Sequence, residues 1–184
     1  MIEEIELMEP LITAAEIEQR VAELGEEINA GYADTGRPLS VVVVLKGACV
    51  FAIDLLRHLK MDTQLDFLRA SSYAGTTTSG EVSLLADITM PIAGTDVLLV
   101  EDIVDTGLTA AWLRRHLESH EPASVRLAAL LDKPSRRRIN VQIDWVGFTI
   151  PDAFVLGYGL DFNERYRNLP AVYVARPVVT EDRK

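Results

Sequence analysis

The chain has 184 residues, 48% hydrophobic and 25% charged, which suits one domain with a sizeable core. Its formal net charge of −10 disfavours nonspecific binding to nucleic acid or to an anionic membrane surface, so neither is expected as a partner. The single cysteine, Cys49, excludes an intrachain disulfide and fits the cytoplasm; no apolar run approaches the ~18 residues needed to span a bilayer, and the acidic start MIEEIELMEP lacks the basic-then-apolar pattern of a signal peptide.

In chain order, Thr13-Ala14-Ala15-Glu16 has the form of a capping box, and Ile17, Val21, Leu24 and Ile28 follow at helical spacing. This predicts a helix to about Tyr32, ended by Gly36-Arg37-Pro38. Ser40 to Leu45 is a continuous, mostly β-branched run, the pattern of a strand buried on both faces. Ala48 to Leu59 reads as a helix with Phe51, Leu55 and Leu59 on one face. Gln64 to Tyr73 is expected as a strand, then a small polar loop from Ala74 to Gly80, then a strand from Glu81 to Ala86 pairing back across it. Asp96 to Val100 is the next buried strand, and Ala110, Leu113 and Leu117 mark another helix. Val125 to Leu131 and Trp145 to Ile150 read as strands. Phe154 to Arg167, with Gly157, Gly159 and several polar residues, reads as loop more than core, and Ala171 to Ala175 as a short last strand. Repeats and long linkers are absent. Strands alternating with helices predict an α/β fold with a central, mainly parallel sheet flanked by helices, in which ligands sit beyond the carboxyl ends of the strands.

The stretch from Val97 to Thr109, VLLVEDIVDTGLT, is such a place. Consecutive amides of the loop from Asp105 to Thr109 converge on one spot, and the following helix adds partial positive charge at its start. Thr106 and Thr109 add hydroxyl donors, so a phosphate monoester can be held without a lysine. Glu101 and Asp102, just before the loop, accept from vicinal hydroxyls and can hold Mg²⁺. A phosphate seat beside diol acceptors describes a ribose 5-phosphate pocket, with Asp105 beside the sugar where a base is useful. Asp105 capping the helix, with Glu101 and Asp102 solvated, is the plainer alternative; it suits a lone D-x-G-x-T better than this longer pattern. The G-x-x-x-x-G-K and G-x-G-x-x-G nucleotide loops are both absent.

This stretch resembles the phosphoribosyl-pyrophosphate signature of the type I phosphoribosyltransferases, and its Glu-Asp opening resembles their hypoxanthine-guanine branch. VLKGACVFAIDLLRHL resembles that family's Leu-Lys-Gly loop and helix, SSYAGTTTSGEV its mobile catalytic loop, LLDKPSRR its base-recognition lysine segment, and FVLGYGLDFNERYRNLP its purine-covering segment. The resemblance implies a single domain over residues 1–184, with a core of about 13–150 and a small purine-covering hood from 151–184 and N-terminal residues. It implies purine salvage: transfer of ribose 5-phosphate from phosphoribosyl pyrophosphate to N9 of hypoxanthine or guanine, with Mg²⁺, in a cytoplasmic homodimer or homotetramer.

Residue by residue, it implies that Asp105, Thr106, Gly107, Leu108 and Thr109 seat the 5′-phosphate, and that Glu101 and Asp102 bind the ribose hydroxyls and help hold the metal. Asp105 is the implied general base at the purine N7. Lys133 would donate to the purine O6, Phe154 would stack on the ring, and Val155 would offer main-chain groups to the purine edge. Asp161, counted with the purine-binding residues, would ligate a Mg²⁺ bound to the pyrophosphate, Arg167 would contact the pyrophosphate itself, and Lys46 and Gly47 would offer it a backbone amide beside a peptide that is often strained or cis. Ser72 and Tyr73 would close over the site. Two departures stand out. Leu108 replaces a basic residue of some relatives, and Phe162 stands where tyrosine is common. Arg136, Arg137 and Arg138 read as a solvated turn, Trp112 and Trp145 as packing residues, and His58, His116 and His120 form no metal-ligand spacing. The alternative is a regulatory protein on the same fold that senses phosphoribosyl pyrophosphate and binds nucleic acid. It would be expected to show a basic face, whereas here 18 Lys and Arg stand against 28 Asp and Glu.

Overall fold

The structure, a computed structural model, describes residues 4–72 and 82–178. Along the chain the elements are β1 (Glu4–Ile12), α1 (Ala14–Tyr32), β2 (Leu39–Val44), α2 (Cys49–Leu56), β3 (Thr63–Ser72), β4 (Val82–Ala86), β5 (Asp96–Val104), α3 (Leu108–Glu118), β6 (Ser124–Asp132), a 3₁₀ turn (Pro134–Arg136), β7 (Trp145–Thr149), β8 (Val155–Leu156) and β9 (Val172–Val178).

The capping box forms as the residues dictate: the Glu16 amide donates to Thr13 Oγ1 at 3.3 Å and the Thr13 amide to Glu16 Oε2 at 2.8 Å. Ile17, Val21, Leu24 and Ile28 then turn one face of α1 into the core. The second helix is shorter than its periodicity predicts. Beyond Leu56 the amides of His58 and Leu59 bond to Leu55 and Leu56, three residues back, so the last turn tightens into 3₁₀ geometry.

Six strands form the main sheet in the order β4-β3-β2-β5-β6-β7. All neighbours run parallel except β3 and β4, which pair antiparallel; the loop expected from Ala74 to Gly80 lies outside the described residues. The β-branched run of β2 is buried at every position because both faces are covered. Val41, Val43, Leu98 and Val100 join α1 and α2 in one cluster. Val42, Val44, Val97 and Leu99 join Leu113 and Leu117 of α3 in the other. This alternation is the period of two of a strand, applied to a sheet sandwiched between helices.

From β2 the chain crosses to β3 on one side; from β5 it crosses to β6 and β7 on the other. The strand order therefore reverses between β2 and β5, and a crevice opens there beyond their carboxyl ends. The fifth strand runs four residues past its predicted end at Val100, pairing Glu101 with Ala129 and Val104 with Asp132. Glu101 and Asp102 are thus part of the strand and not its solvated tip.

A separate three-stranded antiparallel sheet has the order β1-β9-β8. The first strand has no counterpart among the sequence expectations. Pro10 is tolerated because β1 is an edge strand and its register shifts on either side of that residue. The segment from Phe154 to Arg167 also departs from its loop reading. It is irregular, yet Val155, Leu156, Tyr158 and Leu160 are buried. Gly159 brings its backbone against Gly47 so closely that an added Cβ would strike the Gly47 carbonyl. The small sheet is thereby seated over the loop that follows β2.

Candidate active site

Four neighbouring strands deliver the predicted residues to one edge of the sheet. Lys46 and Gly47 follow β2, Glu101 to Thr109 span the end of β5 and the start of α3, Lys133 follows β6, and Phe154 lies beyond β7. Leu45-Lys46 is a cis peptide, as the resemblance implies. Gly47 lies directly beneath the Asp102 carboxylate, which an added Cβ would overlap, so only glycine admits this approach of β2 to β5.

The loop after β5 is clamped from outside. The Arg137 guanidinium donates to the Asp105 carbonyl at 3.1 Å and to the Val104 carbonyl at 3.3 Å, and also pairs with the Asp132 carboxylate. The amides of Arg138 and Ile139 bond to the Thr106 carbonyl at 2.9 and 3.1 Å. With these carbonyls held outward, the Thr106 and Gly107 amides make no backbone hydrogen bond among the described residues. The Leu108 amide, first in α3, donates to Thr106 Oγ1 at 3.4 Å, and the next amides of the first turn have no intrahelical acceptor by helix geometry. Gly107 is the N-cap residue, with φ 82° and no side-chain cap, so Asp105 does not cap the helix. A cavity of about 210 Å³ results, lined by Glu101, Asp105, Thr106, Gly107, Thr109 and their apolar neighbours. Convergent amides at a helix start make it an anion seat.

Glu101 is 5% exposed and has no salt-bridge partner among the described residues. Burial pushes its carboxyl well above the usual range, and the charge of Asp102 beside it pushes further. Burial raises Asp102 too, opposed by hydrogen bonds, including one from the Ile103 amide at 2.9 Å, and by the charge of Arg167. Two adjacent acids in this state need a proton, hydroxyl donors or a cation. As a hard oxygen donor set they fit Mg²⁺.

Asp105 Oδ1 is buried without a hydrogen-bond partner, although Arg136 Nε stands 3.3 Å away as an ion pair. Arg136 also faces Asp152 at 3.8 Å, and Asp152 faces the Lys133 amine at 3.9 Å. Lys133 is 6% exposed and donates to the Ala153 carbonyl at 2.8 Å. Its ammonium is held inside rather than released to solvent, with two further protons to offer. Phe154 is 47% exposed, so it is not a core aromatic; its ring meets Phe162 edge to face at 5.8 Å. Val155 opens β8 opposite Val174.

The basic residues expected at the pyrophosphate are engaged with acids. Lys46 bonds to Glu164 at 2.7 Å, and Arg167 pairs with Asp161 at 2.8 Å and Glu164 at 3.4 Å. Arg167 Nε is buried without a partner. Ser72 ends β3, and Tyr73 lies outside the described residues. Arg136 and Arg138 are exposed, as a solvated turn requires, but Arg137 between them is mostly buried and shapes the anion loop. Its sequence signal was its position, four residues after a site lysine and five after an aspartate that a strand end would hold. Glu164 and the Ala153 carbonyl gave no signal of their own.

A family model described as the phosphoribosyl transferase domain matches residues 11–163. The hypoxanthine-guanine phosphoribosyltransferase of Mycobacterium avium is 48% identical over 174 residues, covering 92% of this chain and 86% of that protein. The hypoxanthine phosphoribosyltransferase of Escherichia coli is 43% identical over 176 residues, covering 95% and 98%. The crystal structure of a hypoxanthine-guanine phosphoribosyltransferase from Bacillus anthracis is similar with a TM-score of 0.87 and 43% identity, over 94% of this chain and 99% of that one.

Proposed function

The chain belongs to the phosphoribosyl transferase domain family, and from that premise we propose that it is a purine-salvage enzyme. It transfers ribose 5-phosphate from phosphoribosyl pyrophosphate to N9 of hypoxanthine, and of guanine, giving IMP or GMP and pyrophosphate. The observation that carries this reading is the clamped anion loop with the buried Glu101 and partly buried Asp102 carboxylates on one side and a buried lysine ammonium on the other. Relatives named as enzymes over nearly the whole chain do not favour the regulatory alternative.

In this mechanism the amides and hydroxyls from Asp105 to Thr109 bind the 5′-phosphate, and Glu101 and Asp102 accept from the ribose hydroxyls. Binding the diol relieves the desolvation that raises both carboxyls. Lys133 keeps one proton on the Ala153 carbonyl and gives another to the purine O6, which selects a 6-oxo over a 6-amino group. Phe154 covers the ring, and the Val155 main chain meets the purine edge. As the bond from C1′ to pyrophosphate loosens, N9 approaches C1′ from the other side. Asp105 takes or shares the N7 proton, and its unpartnered Oδ1 supports that role. Arg167 and the amide of the Lys46-Gly47 loop receive the departing pyrophosphate, displacing Glu164 from both basic side chains. Ser72 and Tyr73 close over the centre and exclude water. Mg²⁺, when bound, supplies positive charge to the leaving group; Glu101, Asp102 and Asp161 would hold it. The same reading treats residues 1–184 as one domain with the three-stranded sheet as a hood, working in the cytoplasm as a homodimer or homotetramer.

The test is a steady-state comparison of hypoxanthine, guanine, xanthine and adenine in the parent and in Lys133→Ala. The parent should use 6-oxopurines and reject adenine. Loss of one charged hydrogen bond, about 1.5–3 kcal/mol, should narrow that gap by roughly ten- to a hundredfold. Unchanged discrimination in Lys133→Ala would remove the lysine from base selection.

A further inference from the structure

Three side chains outside this site come together at the opposite end of α3. Asp87 lies in the connection after β4, while His116 and His120 stand four residues apart across the carboxyl end of the helix. From Leu108, at the anion loop, to His116 the helix rises roughly 12 Å, so the two places are distinct. One ligand atom from each of the three lies within 4.8 Å of the others, and His116 Nε2 is already 2.8 Å from Asp87 Oδ1. In the sequence the histidines form no metal-ligand spacing because the third donor stands 29 residues before His116. The fold supplies it.

We propose that Asp87, His116 and His120 form a binding site for a divalent transition-metal ion of borderline softness, Zn²⁺ or a neighbour such as Co²⁺. Two imidazoles and a carboxylate are ligands of that class, whereas Mg²⁺ prefers oxygen donors and keeps its waters. Tetrahedral geometry with bonds of ~2.0–2.1 Å sets ligand atoms about 3.3 Å apart. Binding the ion would require the three donors, within 4.8 Å of one another, to rotate to that spacing.

Each donor is already oriented. His116 stacks on Trp112 with ring centroids 5.3 Å apart and planes 7° from parallel. His120 Nδ1 lies 3.0 Å from the His116 carbonyl. That is the kind of bond that fixes tautomer and ring direction in metal-bound histidines, and it leaves Nε2 to bind. His116 meets the ion through Nε2, its ring then carrying the proton on Nδ1. The Asp87 carboxylate accepts from the Ile88 amide at 2.8 Å. The next residues are pinned by buried Asp66, which accepts from the Thr89 and Met90 amides at 2.6 and 2.9 Å. The side chains of His116 and Asp87 remain 20% and 40% exposed, which leaves an approach for the ion and room for water as a fourth ligand. A bound ion would tie the end of the β3–β4 hairpin to the helix that carries the anion loop.

The chain has three histidines, so ring-proton NMR reads the site directly. Zn²⁺ is titrated into the full chain with excess Mg²⁺ present to occupy the active-site carboxylates. The His116 and His120 resonances should move or broaden together and saturate at one ion per chain, while His58 stays in place. No change at either histidine, or an equal response of His58, would overturn the proposal. By calorimetry His116→Gln and Asp87→Asn should each bind Zn²⁺ at least about tenfold more weakly, with unfolding in chelator showing that both variants are folded. Parental affinity in His116→Gln would likewise overturn it.

Discussion

Glu101 and Asp102 enter the sheet on consecutive residues, and burial raises both carboxyls. A carboxyl whose pKa is higher in the folded than in the unfolded chain favours folding while it is protonated. That contribution is lost as pH rises through the folded value. Without metal or substrate the pair therefore costs stability from about pH 4.3, the ordinary glutamate value, upward through its raised range. Glu101→Gln removes the share due to Glu101, which is the more strongly raised of the two. In the presence of chelator the variant should unfold at a higher temperature than the parent near pH ~8, with the advantage shrinking toward pH ~5. A variant less stable than the parent at the higher pH, or a gap independent of pH, would contradict the burial argument. On the proposed mechanism the same substitution should lower activity, because it removes a carboxylate that would accept from the ribose hydroxyls.

The loop between β5 and α3 owes its shape to a neighbouring turn as much as to its own residues. Arg137 holds the Val104 and Asp105 carbonyls and the Asp132 carboxylate, so Arg137→Ala leaves three acceptors short. We expect a loss of roughly 1.5–3 kcal/mol in unfolding free energy and a higher KM for phosphoribosyl pyrophosphate. A change in stability alone would mean that the loop keeps its shape without the clamp. This element also marks where sequence reading stops. Thr106 to Thr109 announce an anion seat through small residues, hydroxyls and a helix start, all local signals. Arg137 signals only by its spacing from Asp132 and Lys133, and that signal is masked because three consecutive arginines read as solvent-facing; only the return of β6 beside β5 turns one of them inward. The strand of Glu101 was cut short for a related reason: carboxylates argue against burial, and their raised pKa is the mark of that conflict. Phe154 and Lys133 were assigned by resemblance. Taken alone, one reads as core and the other as surface, and each is found in the opposite setting.

At the scale of the molecule, the order of strands and helices was legible because each element carries its own periodicity. The continuous apolar runs of β2 and β5 required two covered faces, and α1, α2 and α3 cover them. The three-stranded sheet was not legible as a sheet. Its strands pair residues near opposite ends of the chain, and Pro10 hides the first of them. The strand order reverses between β2 and β5, so the proposed sugar and phosphate contacts at the end of β5 and the proposed base contacts after β6 and β7 meet at one edge. The direct test is formation of IMP from hypoxanthine and phosphoribosyl pyrophosphate with Mg²⁺, followed in the parent and in Asp105→Ala. The account predicts turnover in the parent. In the variant it predicts kcat lower by about 10²–10⁴, with the KM for hypoxanthine changed far less. No turnover in the parent, or an intact kcat in the variant, would contradict it.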